Sequence, residues 1–204
     1  MGSDEIKIQT IIGNNISSYI DSIAEFRINV FKEFPYLYQG NVEGERKYLV
    51  NYANDPQATL IVAKVNSKLV GIATGIPLNA SLHLLDDIRI ELSKKSFDPK
   101  KFYYCGEMII LEDYRNQGLG AKLYEQQKSQ IQCWGFTYFC ALTVKRSTTH
   151  PLKPKNYIDI KNFLDKIGYK KFGFELPCHW PTILSSGKVK NIKNKLILWT
   201  KEII

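Results

Sequence analysis

Arg115-Asn116-Gln117-Gly118-Leu119-Gly120-Ala121 is the stretch on which the fold turns. It follows a near-continuous apolar run, residues 102–111, and opens an amphipathic run, residues 119–134, with Leu119, Leu123 and Ile131 on one side. Two glycines at the opening of a helix let backbone approach a ligand closely and leave amide N–H groups unpaired. Those amides and the positive end of the helix dipole suit phosphate oxygens. Arg115 adds a charge-assisted donor. No Gly-Lys-Ser/Thr follows, so this is not a Walker loop, and Leu123 stands where a dinucleotide fingerprint has its third glycine.

Beyond the helix, residues 136–144 form a second apolar run, and strand, helix and strand of these lengths predict a parallel crossover. Upstream, residues 6–11 alternate as a strand. Asn15 is placed to cap a helix carrying Ile16, Ile20, Ile23, Phe26, Val30 and Phe34, which Pro35 stops. An aromatic connector, residues 36–40, leads to a helix with Tyr48, Leu49 and Tyr52. Residues 58–65 and 68–76 read as a hairpin around Asn66-Ser67. Pro77 and Asn79 then open a helix with Leu82, Leu85, Ile88 and Leu92 on one side. Downstream, a polar stretch over residues 145–156 precedes a short helix with Ile160, Phe163, Leu164 and Ile167, which Gly168 caps. A strand begins at residues 169–174, a Lys-rich loop spans 187–195, and residues 196–199 close the sheet. The expectation is an α/β fold, a mixed central sheet flanked by helices, in a single domain over residues 1–204.

Charge divides unevenly along the chain. Residues 1–100 hold 11 Lys and Arg against 12 Asp and Glu, whereas residues 101–204 hold 17 against 8. The excess in the second half points to an anionic partner or ligand. Only five of the 28 basic residues are Arg, so much of the Lys reads as a solvated face rather than nucleic-acid recognition. Cys105, Cys133, Cys140 and Cys178 form no CxxC pair and no cluster with His; they read as reduced, buried thiols, and no metal is expected. No apolar run approaches the roughly 18 residues of a membrane span. The acidic start lacks a signal-peptide stretch, and Ile6 stands where acylation at Gly2 wants Ser or Thr. A cytoplasmic protein is expected.

Arg115, Gly118 and Gly120 fill the Gln/Arg-x-x-Gly-x-Gly/Ala signature of the GNAT acetyltransferase superfamily, which this sequence resembles over nearly its whole length. Ile109-Ile110-Leu111, Tyr114 and the helix ending in Gly168-Tyr169 support the likeness. Phe26-Arg27, the 34–38 segment, Phe139-Cys140-Ala141 and His150-Pro151 resemble a bacterial GNAT group of unassigned substrate. The resemblance implies acetyl-CoA as co-substrate, its pyrophosphate on the amides of Gln117, Gly118, Leu119, Gly120 and Ala121, with Arg115 and Asn116 also binding the cofactor. It also implies a pantetheine arm along Ile109, Ile110 and Leu111, and direct attack by a primary amine on a small molecule or peptide.

Such an attack needs a proton acceptor for the amine and a donor for the leaving thiolate. Glu107 is the only charge within residues 102–111, and strict alternation puts it on the face of Cys105, Ile109 and Leu111; it reads as base or substrate anchor. The resemblance puts the acid at a Tyr four residues before the late glycine, where this chain has Leu164; Tyr157 is the substitute. Phe26, Arg27, Tyr36, Tyr38 and His150 are candidates for the acceptor pocket. Lys188, Lys190, Lys193 and Lys195 read as a solvated hairpin loop. Two other classes compete with an N-acetyltransferase: a GNAT-like module that binds acetyl-CoA without turnover, and a basic nucleic-acid-binding protein, ranked last because no RNP, helix-turn-helix or zinc pattern accompanies the charge.

Overall fold

Alternating and continuous apolar runs settle into seven strands, and the amphipathic runs into helices on both faces of the sheet they form. The computed structural model describes residues 5–203. Residues 1–4, with the acylation reading at Gly2, and Ile204 lie outside the described residues. The order is β1 (Lys7–Ile12), α1 (Ile20–Phe31), α2 (Val42–Ala53), β2 (Thr59–Val65), β3 (Lys68–Pro77), α3 (Asp86–Lys94), β4 (Phe102–Ile110), α4 (Leu119–Cys133), β5 (Tyr138–Val144), α5 (Ile160–Lys166), β6 (Lys170–Ile183) and β7 (Val189–Glu202). Strand order is β1-β2-β3-β4-β5-β7-β6, antiparallel except for β4 and β5, which are the expected parallel crossover pair. One apolar core lies between the sheet and α1, α2 and α3; the other lies under α4 and α5.

Two irregularities of β4 position the site. Its pairing with β5 stops after Cys105 and Ala141; beyond that point β4 pairs only with β3, and β5 only with β7. The two strands therefore part toward the loop that opens α4. The second irregularity is a bulge: the ladder steps from Gly75–Cys105 to Ala73–Met108, so Thr74 faces both Gly106 and Glu107. Gly106 lies against the Tyr52 and Thr74 hydroxyls and has no room for a side chain. The extra residue breaks strict alternation. Cys105 points under α4 toward Gln127 and Tyr169, whereas Glu107 points to the α1–α2 face, so the expectation that they share a face is corrected.

Other corrections are local. Residues Gly13–Tyr19 form a 3₁₀ turn, and α1 starts at Ile20 without a side-chain cap, so Asn15 caps nothing. Phe34 falls beyond α1, joined to Pro35 by a cis peptide. Pro77 ends β3, and α3 begins only at Asp86 after the 3₁₀ turn His83–Leu85. Most of the Lys-rich loop is strand: Val189 onward pairs with β6, with Lys193 opposite His179 and Lys195 opposite Pro177. Asn194 occupies an inward position that an apolar residue usually fills, which hides the alternation that continues through Leu196 and Leu198. Cys133 is exposed at the end of α4 rather than buried; all four cysteines are free. No helix among the described residues is long and apolar enough to cross a membrane.

Candidate active site

The loop after β4 reaches α4 through two left-handed residues, Asn116 at φ 60° and Gly118 at φ 80°, the second of which favours glycine. No side chain caps α4, and its first incoming bond runs from Lys122 N–H to Gly118 O at 3.2 Å. The N–H groups of 116–121 therefore have no backbone acceptor among the described residues. Gly120 faces the space between Ile110 and Phe163, 3.6 Å from where a Cβ would stand. The fold itself tolerates a side chain there. Arg115 rests across the end of β4, its Nε donating to Ile110 O at 2.8 Å and its Nη2 to Glu33 at 3.2 Å. It thus shares its charge with Glu33, just past α1, instead of leaning over the amides.

A buried charged cluster lies on the other face of β4. Arg27 of α1, Glu45 of α2 and Glu107 are 9%, 3% and 6% exposed at their side chains. Arg27 Nε donates to Glu45 Oε2 at 2.5 Å, and its Nη1 forms a close ion pair with Glu107 Oε1 outside hydrogen-bond geometry. Tyr48 donates to Glu107 Oε1 at 3.0 Å, Thr74 donates to Oε2, and the Glu107 N–H donates to Thr74 Oγ1 at 3.0 Å. Phe31 and Tyr48 present their rings to the guanidinium at 4.9 and 4.5 Å. Burial works against the Arg27 charge, yet Glu107, Tyr48 and Glu45 outweigh it and hold the guanidinium protonated well above its usual range. Burial, and after it Glu107, pushes the Tyr36 phenol up to about 12; burial and Glu45 do the same for Tyr38. These phenols are neutral donors at physiological pH.

The connector after α1 spans both regions. Gln39 N–H bonds Pro181 O at 2.9 Å and Ile183 N–H bonds Leu37 O at 2.7 Å, which fastens the connector to β6. Arg146, just past β5, donates to Pro35 O at 2.7 Å, Tyr36 O at 3.0 Å and Asn194 Oδ1 at 2.6 Å. A groove opens here, between Phe34-Pro35, the end of β5 and the start of α5. Tyr157 lines it with its ring edge-on to Phe34 at 4.7 Å, and burial pushes its phenol up to about 12. His150 packs near Phe34 and accepts the Leu152 N–H at 3.2 Å, which makes it part of a turn.

Of the residues read from sequence, Arg27 and Glu107 meet directly, with Tyr36 and Tyr38 at the margin of their cluster. Tyr157 and His150 lie across the groove instead. Phe26 packs in the core, and Leu164 is buried under the sheet's other face. Sequence reasoning missed Glu45, Tyr48, Tyr52 and Thr74 as members of the cluster. Glu45 carried a signal: it stands four residues before Leu49, on the buried stripe of α2. Thr74 carried none, since nearly all of β3 is buried. No group of His, Cys, Asp and Glu among the described residues is arranged to hold a metal.

A family model described as the acetyltransferase (GNAT) family matches residues 26–152, more than half of the 204 residues. The comparison with curated proteins finds no match. Among solved structures, an acetyltransferase of the GNAT family from Streptococcus pneumoniae is similar at 15% identity and TM-score 0.58, covering 98% of this chain and 100% of its own. A ribosomal-protein-alanine N-acetyltransferase from Brucella melitensis has 11% identity and TM-score 0.59 over 96% and 99% of the two chains. A proposed acetyltransferase from Salmonella typhimurium, solved with its cofactor acetyl-CoA, has 10% identity and TM-score 0.57 over 98% and 94%. At such identities the likeness is one of fold.

Proposed function

The chain belongs to the acetyltransferase (GNAT) family, and from that premise we propose that it moves the acetyl group of acetyl-CoA to a primary amine by direct attack in a ternary complex. The observation that carries this reading is the run of unpaired N–H groups over residues 116–121, set beside the point where β4 and β5 part. Fixed amides and a helix dipole favour a pyrophosphate at little reorganisation cost. The parted strands leave one side of β4 without a partner strand, and Ile109, Ile110 and Leu111 lie there for a pantetheine arm. Arg115 already occupies the Ile110 carbonyl, so it turns toward the phosphates as the arm arrives.

Glu107 then serves chiefly as an anchor. Arg27, Tyr48 and Thr74 engage both of its oxygens, which holds the carboxylate in place to face an incoming ammonium. Tyr157, neutral and half-buried in the groove, is the donor offered to the leaving thiolate. On this reading the domain spans residues 1–204 and works in the cytoplasm, where free cysteines stay reduced.

Leu164 favours a second reading, a module that binds acetyl-CoA without turnover, because the usual tyrosine is replaced by a buried aliphatic side chain. Calorimetric titration with acetyl-CoA, joined to a thiol-release assay across an amine panel, separates the two. Binding with release supports the enzyme; binding without release from any amine supports the module; absence of binding overturns both.

A further inference from the structure

Two groups of charged side chains flank Tyr36, one richer in carboxylates and the other in cations. On one side Glu45 and Glu107 share the single guanidinium of Arg27 in a buried place. On the other, Arg146, Lys153 and Lys161 line the groove with one carboxylate, Asp159, which lies 3.2 Å from Lys161. Arg146 has no carboxylate within ion-pair reach among the described residues. Its partners are neutral oxygens, which take three of its five N–H donors. Burial lowers its pKa, as expected of a cation withdrawn from water without an anion.

The two groups are linked through one residue. The Tyr36 carbonyl accepts from Arg146, while its ring stacks at 4.3 Å on Phe31, which in turn faces Arg27. Unbalanced charge in a half-dry site costs free energy until a ligand of opposite sign meets it. A site negative at one end and positive at the other suits a ligand charged the other way round. We propose that the acceptor is a small bipolar amine, its ammonium directed to the Glu107 cluster and an acidic group, carboxylate or phosphate, held in the groove by Arg146, Lys153 and Lys161. The aromatic rings of Phe34 and Tyr157 bound the same groove and suit an apolar body. This rests on the amine-acetylation reading and deepens it by naming the acceptor class.

The test is calorimetric titration of the CoA-loaded full chain with four probes: phenylalanine, which carries both charges, phenylalaninamide, which lacks the acid, 3-phenylpropionate, which lacks the amine, and phosphoethanolamine. Phenylalanine binds at least about tenfold more tightly than its amide or the amine-free acid, the order carried by one charge-assisted contact. Phosphoethanolamine binding more tightly than phenylalanine makes phosphate the acidic group; the reverse makes it carboxylate. The double variant Lys153→Ala, Lys161→Ala, checked for an unchanged melting temperature, brings the preference over the amide to within about threefold. Equal affinity for phenylalanine and its amide together with no binding of phosphoethanolamine, or a preference that survives the double variant, overturns the proposal. So does the absence of binding by either bipolar probe. A bipolar probe that binds with the stated preference but releases no thiol from acetyl-CoA leaves the acceptor class standing and refutes the catalytic reading instead.

Discussion

The loop over residues 115–121 and the cluster of Arg27, Glu45 and Glu107 are both polar, yet they are built in opposite ways. The loop offers backbone: consecutive N–H groups that the geometry of a helix start leaves unpaired. The cluster offers side chains brought from α1, α2 and β4, which lie up to 80 positions apart in sequence. A backbone site tolerates most side-chain changes and fails when something intrudes on it. A side-chain site fails when one member is removed, because its partners keep their desolvation cost.

The largest effect tests the cluster. Arg27→Ala strands two buried carboxylates and is expected to cost about 3–5 kcal/mol in denaturant unfolding. A loss below about 1 kcal/mol, the size expected of an exposed pair, would show that the cluster is solvated and remove the contrast with the loop. Glu107→Gln comes next. As an anchor it raises the acceptor KM by about tenfold to a hundredfold, with acetyl-CoA affinity held. A fall in kcat of about 10²–10⁴ at constant KM would make Glu107 the general base instead.

The two sites also differ in how far sequence reveals them. Gly118 and Gly120 lie within one turn of each other, so the loop and the crossover around it could be read locally. Glu107 was found as the single charge of an apolar strand, but its face was misassigned because the bulge depends on β3. Only when Thr74 pairs against both Gly106 and Glu107 does the side chain turn toward Arg27. Glu45 joins only when α2 packs on α1, so no short window contains the cluster. Asn194 hid most of β7 for a similar reason: its amide is satisfied by Thr182 and Arg146, contacts that periodicity does not register.

Smaller effects sharpen the loop side. Arg115→Ala weakens acetyl-CoA binding by about threefold to tenfold, less than a full charged hydrogen bond carries, because the phosphate contact replaces bonds that Arg115 already makes to Ile110 O and Glu33. A hundredfold loss in the same titration would place the guanidinium, and not the amides, at the centre of the site. Replacing Lys188, Lys190, Lys193 and Lys195 with Gln leaves that affinity within about threefold, since all four are exposed on or beside β7. A tenfold loss would bring the hairpin to the nucleotide.

Gly120→Val tests the loop most directly. A Cβ at this position makes only ordinary contacts with Ile110 and Phe163, so the variant folds, and its branched side chain intrudes on whatever the amides hold. Titrated with acetyl-CoA, it should bind at least about tenfold more weakly than the parent, with a melting temperature that moves by only a few degrees, since Val is no worse than Gly in a helix. Parental affinity in the folded variant would contradict the account and remove the α4 N-terminus from the acetyl-CoA site.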